Sequence, residues 1–132
     1  IPEIEKIFSS VKTFKVLKKI IVPDEKEAIK ANLVKLSDIE NLDIIITTGG
    51  TGPSSRDVTP DATLEVIDRE YPGFGEYMRL ESLKYSKNAI LSRQTAGTRG
   101  NSLILNLPGN PKSISELLPN LINQLEHFIE KR

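Results

Sequence analysis

The chain has 132 residues, of which 38% are hydrophobic and 27% are charged, as expected for one folded domain with a single core. Eighteen basic side chains balance eighteen acidic ones, which excludes a global field that recruits nucleic acid or an anionic membrane. Cysteine is absent, and no apolar run approaches the ~20 residues that a membrane-spanning helix needs. Disulfides, thiolate metal sites and cysteine nucleophiles are therefore excluded, and a cytoplasmic location is expected.

The first half of the chain predicts helices and strands in alternation. Apolar residues at helical spacing predict a helix over residues 1–11. Residues 14–22 are rich in β-branched side chains and contain three lysines, which is typical of an edge strand. An amphipathic helix is predicted over residues 25–36. The apolar run over residues 42–48 then predicts a strand that is covered on both faces.

The second half continues the alternation. Thr59 can accept from a free amide and Pro60 suits the first helical position, so a helix is predicted to start there. The predicted elements are helices over residues 59–70 and 75–85, strands over 89–93 and 102–107 joined by a turn at 97–101, and a final helix from Asn110-Pro111. We therefore predict a single α/β domain over residues 1–132, built as a three-layer, doubly wound, mostly parallel sheet with helices on both faces. The close pair of strands near the end allows an antiparallel element.

A glycine-rich loop follows the strand at residues 42–48. In an open α/β sheet, ligands bind where loops leave the carboxyl ends of strands. Gly49, Gly50 and Gly52 let backbone amides approach a bound anion, Arg56 can contact a phosphate, and Asp57 can hold Mg²⁺. The alternative is a flexible turn with a solvated Arg56–Asp57 pair.

A second loop, at Val22-Pro23-Asp24-Glu25, carries a carboxylate. Asp24 either caps the helix that follows or faces Asp57 across the mouth of the sheet. Two carboxylates without a histidine are groups that Mg²⁺-dependent phosphoryl or nucleotidyl transfer can use. The only histidine, His127, lies in a C-terminal helical pattern, which argues against histidine catalysis.

A third loop leaves the strand at residues 102–107. Pro108-Gly109 forms a tight turn, Asn110 caps, and Lys112 lies in the first helical turn, where backbone amides and the ammonium suit a phosphate. The alternative is an ordinary turn into a helix. Nearby Ser92, Arg93 and Arg99 add polar side chains, although Ser92 lacks a base and is not predicted to be a nucleophile. Together the residues predict a Mg²⁺-dependent phosphate-ester site.

Several longer motifs point to one family. The loop G-G-T-G-P-S-S-R-D-V-T-P-D-A at residues 49–62 resembles the signature of the molybdopterin adenylyltransferases, which include bacterial enzymes and equivalent domains of gephyrin. The resemblance continues in order through P-G-F-G-E at 72–76, A-I-L-S-R-Q at 89–94, A-G-T-R-G at 96–100 and S-L-I-L-N-L-P-G-N-P-K-S at 102–113. It covers nearly the whole chain.

The resemblance implies transfer of AMP from Mg²⁺-ATP to the terminal phosphate of molybdopterin, with release of pyrophosphate. It places the family's two important aspartates on Asp24 and Asp57, as catalytic residues and Mg²⁺ ligands. With the reasoning above, the predicted substrate-binding residues are Gly49, Gly50, Thr51, Gly52, Arg56, Ser92, Asn106, Pro108, Gly109 and Lys112. It also implies a homotrimer and a downstream molybdenum-insertion protein or domain.

The resemblance also implies residues that this sequence does not contain. Family members begin with a strand and a polar loop before the position of Ile1, so an N-terminal strand is expected to be missing from the given chain. Two alternatives to the enzyme remain open: a non-catalytic molybdopterin-binding module, and a protein from a sister branch of the superfamily. Retention of both Asp24 and Asp57 favours the enzyme, because binding alone does not need two carboxylates.

Overall fold

The computed structural model describes residues 2–132 and contains a four-stranded sheet. Its strands are β1 (Ile44–Thr48), β2 (Arg69–Glu70), β3 (Ala96–Arg99) and β4 (Ser102–Leu107), in the spatial order β1-β4-β3-β2. β1 and β4 are parallel, whereas β3 is antiparallel to both of its neighbours. The sheet is therefore mixed, and the prediction of a mostly parallel sheet is wrong. The two-residue turn at Gly100-Asn101 joins β3 to β4 and requires an antiparallel pair.

Helices flank this sheet. The α-helices are α1 (Pro2–Ser9), α2 (Lys26–Val34), α3 (Thr59–Val66), α4 (Gly73–Ser82), α5 (Pro111–Leu117) and α6 (Ile122–Lys131). A π-helical turn at Lys35–Ile39 continues α2, and 3-10 helices occupy Lys87–Leu91 and Leu118–Leu121. None of the described helices is both long enough and apolar enough to span a membrane.

The alternation of side chains in β4 separates two cores. Leu103, Leu105 and Leu107 are fully buried in one cluster with side chains of α1, α4, α5 and α6. Ile104 is fully buried in the other cluster, with side chains of α2, α3 and β1. Because successive side chains of a strand point to opposite faces, these clusters define the two sides of the sheet. The predicted three-layer α/β architecture is confirmed.

Two predicted strands are absent from the structure. Residues 14–22 have no strand partner among residues 2–132, and the side chain of Ile21 is fully exposed. Residues 89–93 lie largely in the 3-10 helix at Lys87–Leu91, which begins where the Ser86 hydroxyl accepts from the Asn88 amide. The β-branched composition of residues 14–22 indicates an extended conformation but does not supply the neighbour that makes a strand.

Several predicted boundaries also shift. The helix predicted over residues 59–70 ends at Val66, because Ile67 is extended and residues 69–70 pair with β3 as β2. Likewise the predicted turn at 97–101 is mostly β3. The final helix is interrupted by a 3-10 turn at Pro119. Proline has no backbone N–H, and its ring clashes with the preceding turn, so it does not fit an α-helical interior. The predicted helix at residues 1–11 is confirmed as α1, with Ile1 outside the described residues.

Candidate functional site

The carboxyl ends of β1 and β4 bring the first and third predicted loops together. The strands are parallel neighbours, so the segments that follow them leave the sheet at the same edge. The Gly49 amide donates to the Leu107 carbonyl at 3.0 Å. Gly109 approaches so closely that a Cβ on it would lie 3.1 Å from the Gly49 Cα. The glycine loop (residues 49–57) and the turn at residues 106–109 therefore form one continuous surface.

The glycine loop has the backbone conformation predicted for it. Gly49 and Gly50 have φ angles of +84° and +67°, in the left-handed region that favours glycine. A Cβ on Gly50 would lie only 2.3 Å from the Thr59 Oγ1, and one on Gly52 would lie 2.9 Å from the Asp57 Oδ2. Glycine is required at Gly50 by both its conformation and its surroundings.

Three successive amides of this loop are free to bind a ligand. The Gly50 carbonyl accepts from the Thr59 amide at 3.2 Å, and the Thr51 carbonyl accepts from the Arg93 amide at 2.8 Å. In a trans peptide the N–H points opposite to the C=O, so the Thr51 and Gly52 amides face away from these partners. Within residues 2–132, the amides of Gly50, Thr51 and Gly52 donate no hydrogen bond. Consecutive free amides can form a concavity that suits an anion.

Asp57 lies against this concavity. Its Oδ2 accepts from the Ser54 amide at 3.0 Å, while its own amide donates to the Ser54 carbonyl at 3.0 Å. The other carboxylate oxygen, Oδ1, has no hydrogen-bond partner within the described chain. One half of the carboxylate thus fixes the loop, and the other half remains available to a cation or a substrate group.

The cationic side chains predicted to bind phosphate are exposed. Arg56 follows the loop with its amide bound to the Ser54 hydroxyl at 3.2 Å, and neither Arg56 nor Lys112 forms an ion pair in the described part of the chain. The predicted cap before Lys112 is confirmed, since the Asn110 Oδ1 accepts from the Lys112 amide at 2.9 Å. Both cations are free to contact a phosphate at this edge of the sheet.

Asp24 is exposed and does not cap α2. The N-cap residue is Glu25, which makes no side-chain cap hydrogen bond, so the capping alternative for Asp24 is wrong. Similarly, α3 begins after Val58, and the predicted Thr59 cap is wrong. No hydrogen bond or ion pair connects Asp24 to Asp57 among residues 2–132, and no cluster of three or more metal-ligating side chains occurs there.

The helices that follow the two aspartates nevertheless pack side by side. Lys26 at the start of α2 lies 2.7 Å from Glu65 of α3. The pKa of Asp61, in the first turn of α3, is lowered chiefly by hydrogen bonds from Arg93 and slightly by the charge of Lys26. Asp24 and Asp57 therefore precede neighbouring helices, although their carboxylates share no contact.

Ser92 and Arg93 lie next to the glycine loop, whereas Arg99 does not. Ser92 is half-buried, and its carbonyl accepts from Arg79 at 3.2 Å. The Arg93 guanidinium binds the loop and Asp61. The sequence did not predict this pair, because an acidic residue in the first turn of a helix is already explained by the helix dipole. Arg99 lies at the opposite end of β3 and is paired with Asp38 at 2.9 Å.

Asn106 is fully buried beneath the site. Its Nδ2 donates to the hydroxyls of Thr47 and Thr63, each at 3.0 Å, and its Oδ1 accepts from the Thr95 amide at 3.3 Å. The side chain thus joins the ends of β1 and β4 to α3. Both Nδ2 hydrogens are used inside the protein, and contact of Asn106 with substrate stays a prediction.

The family can now be identified from the sequence. Residues 5–127 match the family described as "Probable molybdopterin binding domain". The chain belongs to this family. The match covers both loops at the carboxyl ends of β1 and β4, together with Asp24.

Curated relatives of the chain are named as molybdopterin adenylyltransferases. The chain is similar to a molybdopterin adenylyltransferase of Helicobacter pylori strain J99, with 51% identity over 110 residues, 83% of this chain and 62% of the relative. It is also similar to the molybdopterin adenylyltransferase of Escherichia coli K12, with 57% identity over 98 residues, 74% of this chain and 50% of the relative. The chain thus spans half to about three-fifths of these proteins.

Solved structures of family members share the fold. The molybdopterin biosynthesis enzyme MoaB from Thermus thermophilus superposes with a TM-score of 0.87 at 43% identity, covering 98% of this chain and 84% of that chain. The Mog protein from Mycobacterium ulcerans superposes with a TM-score of 0.90 at 32% identity, with the same coverage. Both are molybdopterin biosynthesis proteins by name.

Proposed function

We propose that the protein transfers AMP from Mg²⁺-ATP to the terminal phosphate of molybdopterin, forming adenylyl-molybdopterin and releasing pyrophosphate. The observation that carries this proposal is the row of free amides at Gly50, Thr51 and Gly52, next to the half-free carboxylate of Asp57. A site for phosphoryl oxygens with an adjacent carboxylate is what nucleotidyl transfer requires. The names of the bacterial relatives support the same activity.

The reaction needs positioning and charge stabilisation more than proton transfer. A terminal phosphate oxygen of molybdopterin attacks the α-phosphorus of ATP, a new P–O bond forms, and the bond to the β-phosphate breaks with pyrophosphate as the leaving group. A phosphate monoester has a second pKa of about 6 and is already largely ionised near neutral pH, so no strong base is required. Oriented amides then stabilise the negative charge that develops on the phosphoryl oxygens.

The candidate residues divide into three roles. Gly49, Gly50, Thr51, Gly52, Pro108 and Gly109 shape the phosphate cradle, Arg56, Ser92 and Lys112 add polar contacts, and Asn106 supports the cradle from below. Asp24 and Asp57 would hold Mg²⁺, for which exposed or half-free carboxylate oxygens are suitable hard ligands. When bound, Mg²⁺ neutralises phosphate charge and orients the nucleotide.

The wider setting of the site is also proposed. Residues 1–132 form one molybdopterin-binding and adenylyltransferase domain, active in the cytoplasm as a homotrimer, and its product passes to a molybdenum-insertion protein or domain. Self-association is supported by apolar side chains in and after α4 that are 40–70% exposed, because such clusters mark contact surfaces. We call this cluster the α4 patch; its residues are Leu80, Leu83, Tyr85, Ile90 and Leu91.

Replacement of Asp57 by asparagine tests the proposed chemistry. Asn retains an oxygen that accepts from the Ser54 amide, so Asp57→Asn removes the charge while keeping the loop. We expect kcat for AMP transfer to fall at least about 100-fold, because charge is lost beside the reacting phosphates. Molybdopterin binding should change little. The measurement is release of pyrophosphate from Mg²⁺-ATP and molybdopterin, together with a molybdopterin titration.

A matched control is available at the other end of the sheet. Asp68 is exposed and likewise accepts from a backbone amide, that of Gly100, at 2.8 Å. Asp68→Asn should leave kcat within about 2-fold, as expected for a surface substitution. Normal turnover by Asp57→Asn would refute the assignment. Molybdopterin binding without any AMP transfer by the unaltered protein would instead support the non-catalytic binding module.

A further inference from the structure

Arg93 contacts both ends of the glycine loop. Its Nε donates to the Gly52 carbonyl at 3.2 Å, its Nη2 donates to the Asp57 carbonyl, and its own amide donates to the Thr51 carbonyl at 2.8 Å. The guanidinium is also paired end-on with Asp61 through Nη1 and Nη2, with N–O distances of 3.1 and 3.0 Å. One residue thus binds three carbonyls of the loop and one carboxylate of the following helix.

We propose that Arg93 is a positioning residue that holds the glycine loop in its phosphate-binding conformation, with Asp61 as its anchor. The inference rests on the proposed function for its purpose, but its structural claim concerns the loop alone. None of the Arg93 contacts uses the free amides of Gly50, Thr51 and Gly52. Arg93 therefore acts on substrate through the loop and not by touching it.

The orientation of the peptide planes explains how Arg93 acts. The Arg93 amide fixes the Thr51 carbonyl, and a planar trans peptide then directs the Gly52 N–H to the opposite side. The guanidinium fixes the Gly52 and Asp57 carbonyls, which closes the loop across Pro53 to Arg56. Without these bonds the glycines, which have no Cβ to restrict them, can rotate the amides away from a common centre.

The pairing with Asp61 sets the direction of the guanidinium. A bidentate pair uses the planar fork of arginine, and lysine cannot reproduce two parallel N–H donors. The hydrogen bonds from Arg93 lower the pKa of Asp61, so the carboxylate stays ionised at neutral pH. Both side chains are about 40% exposed, and such a pair contributes little to global stability. Its main consequence is the orientation of the loop.

Arg99 offers a control with the same chemistry. It is paired side-on with Asp38 at 3.0 and 2.9 Å, and it also donates to a backbone carbonyl, that of Val66, at 2.7 Å. It lies at the other end of β3, away from the glycine loop. Arg93→Ala and Arg99→Ala each remove a bidentate carboxylate pair and guanidinium bonds to backbone carbonyls, but only those of Arg93 touch the loop. The backbone bond from the amide of residue 93 to the Thr51 carbonyl remains in Arg93→Ala, so the comparison isolates the guanidinium.

The first measurement is hydrogen exchange, in the absence of substrate, at the three hydrogen-bonded amides of the loop, those of Ser54, Arg56 and Asp57. Arg93→Ala should accelerate exchange there at least about 10-fold, whereas Arg99→Ala should not, because only Arg93 restricts the local opening of this loop. Equal exchange in the two variants would overturn the proposal. This result does not depend on enzymatic activity, so it separates the role of Arg93 from the proposed function.

The second measurement is AMP transfer, with kcat and KM determined separately. Arg93→Ala should lower kcat about 100-fold, as misplacement of reacting groups does, while Arg99→Ala stays within about 3-fold at a similar melting temperature. Added guanidinium ion should restore part of the Arg93→Ala activity, and Arg93→Lys should remain impaired. A kcat unchanged in Arg93→Ala would overturn the proposal; no transfer by the unaltered protein would overturn the proposed function alone.

Discussion

At Gly50 the backbone conformation and the neighbouring side chain act together. A φ of +67° disfavours any residue with a Cβ, and the Thr59 hydroxyl occupies the position that a Cβ would need. Glycine at this position therefore sets both the path of the loop and its distance from α3.

Alanine at Gly50 should lower the free energy of unfolding much more than alanine at a glycine that has a similar positive φ but open space around it. Gly50→Ala combines left-handed strain of about 1–2 kcal/mol with a steric overlap that forces the loop to move, so the free energy of unfolding should fall by more than about 2 kcal/mol. Gly100 has φ +56° with open space around it. Gly100→Ala should cost the strain alone. Chemical denaturation measures both; equal losses would contradict this account of the loop.

The residues of the site differ in how well their conformation and contacts can be predicted from the sequence. The run of glycines allowed positive φ angles and a close approach of backbone amides, with a flexible turn as the alternative, and Gly49 and Gly50 do have positive φ. The hydrogen bonds of Arg93 and Asn106 were not predicted. Their roles come from contacts with residues 30 to 60 positions away in the chain, such as Asp61 and Thr47, and no local pattern encodes such contacts.

At the scale of elements, local composition predicted conformation better than pairing. Residues 102–107 form a buried strand because it has neighbours on both sides. Residues 14–22 are richer in β-branched side chains than residues 102–107 but have no strand partner within the described chain. The final helix shows a different error. Its continuous apolar stripe predicted one helix, although Pro119 is a residue that α-helical interiors exclude.

The start of α5 was predicted correctly, and its energetics are testable. The Asn110 carboxamide caps the helix that leaves the site, with Pro111 at the first helical position. Asn110→Ala should lower the free energy of unfolding by about 1 kcal/mol, the usual cost of a lost N-cap. Asn110→Ser, which retains an acceptor, should cost much less. Denaturant titrations with unchanged m values provide the measurement. Equal losses of unfolding free energy in the two variants would show that the side-chain acceptor at residue 110 does not stabilise the helix.

For the whole molecule, alternation of helices and strands predicted the three layers but not the sheet order. Covering both faces of a sheet requires two apolar clusters, and β4, in which every residue is buried, shows this requirement directly. The direction of β3 depends instead on a two-residue turn and on the short strand β2, which was hidden inside an apparent helix. A mixed sheet follows from these two details.

The proposed trimer can be tested through the α4 patch. We expect light scattering to give a mass three times the 14.7 kDa of the chain. Ile90 in this patch is 70% exposed, and Ile90→Glu should dissociate the assembly because a charge buried in an apolar contact is costly. Ile39 is 71% exposed but lies on the π-helical turn after α2, so Ile39→Glu should not. A monomeric unaltered protein, or dissociation by Ile39→Glu alone, would contradict this assignment.

The central claim is that the amides of the glycine loop bind the phosphates of the transferred nucleotide. A crystal structure of the protein with adenylyl-molybdopterin bound tests it most directly. The account predicts phosphoryl oxygens at hydrogen-bonding distance, about 2.7–3.2 Å, from the nitrogens of Gly50, Thr51 and Gly52, with the Asp57 carboxylate on the same side. An adenylate bound elsewhere, with these three amides facing only solvent, would contradict it.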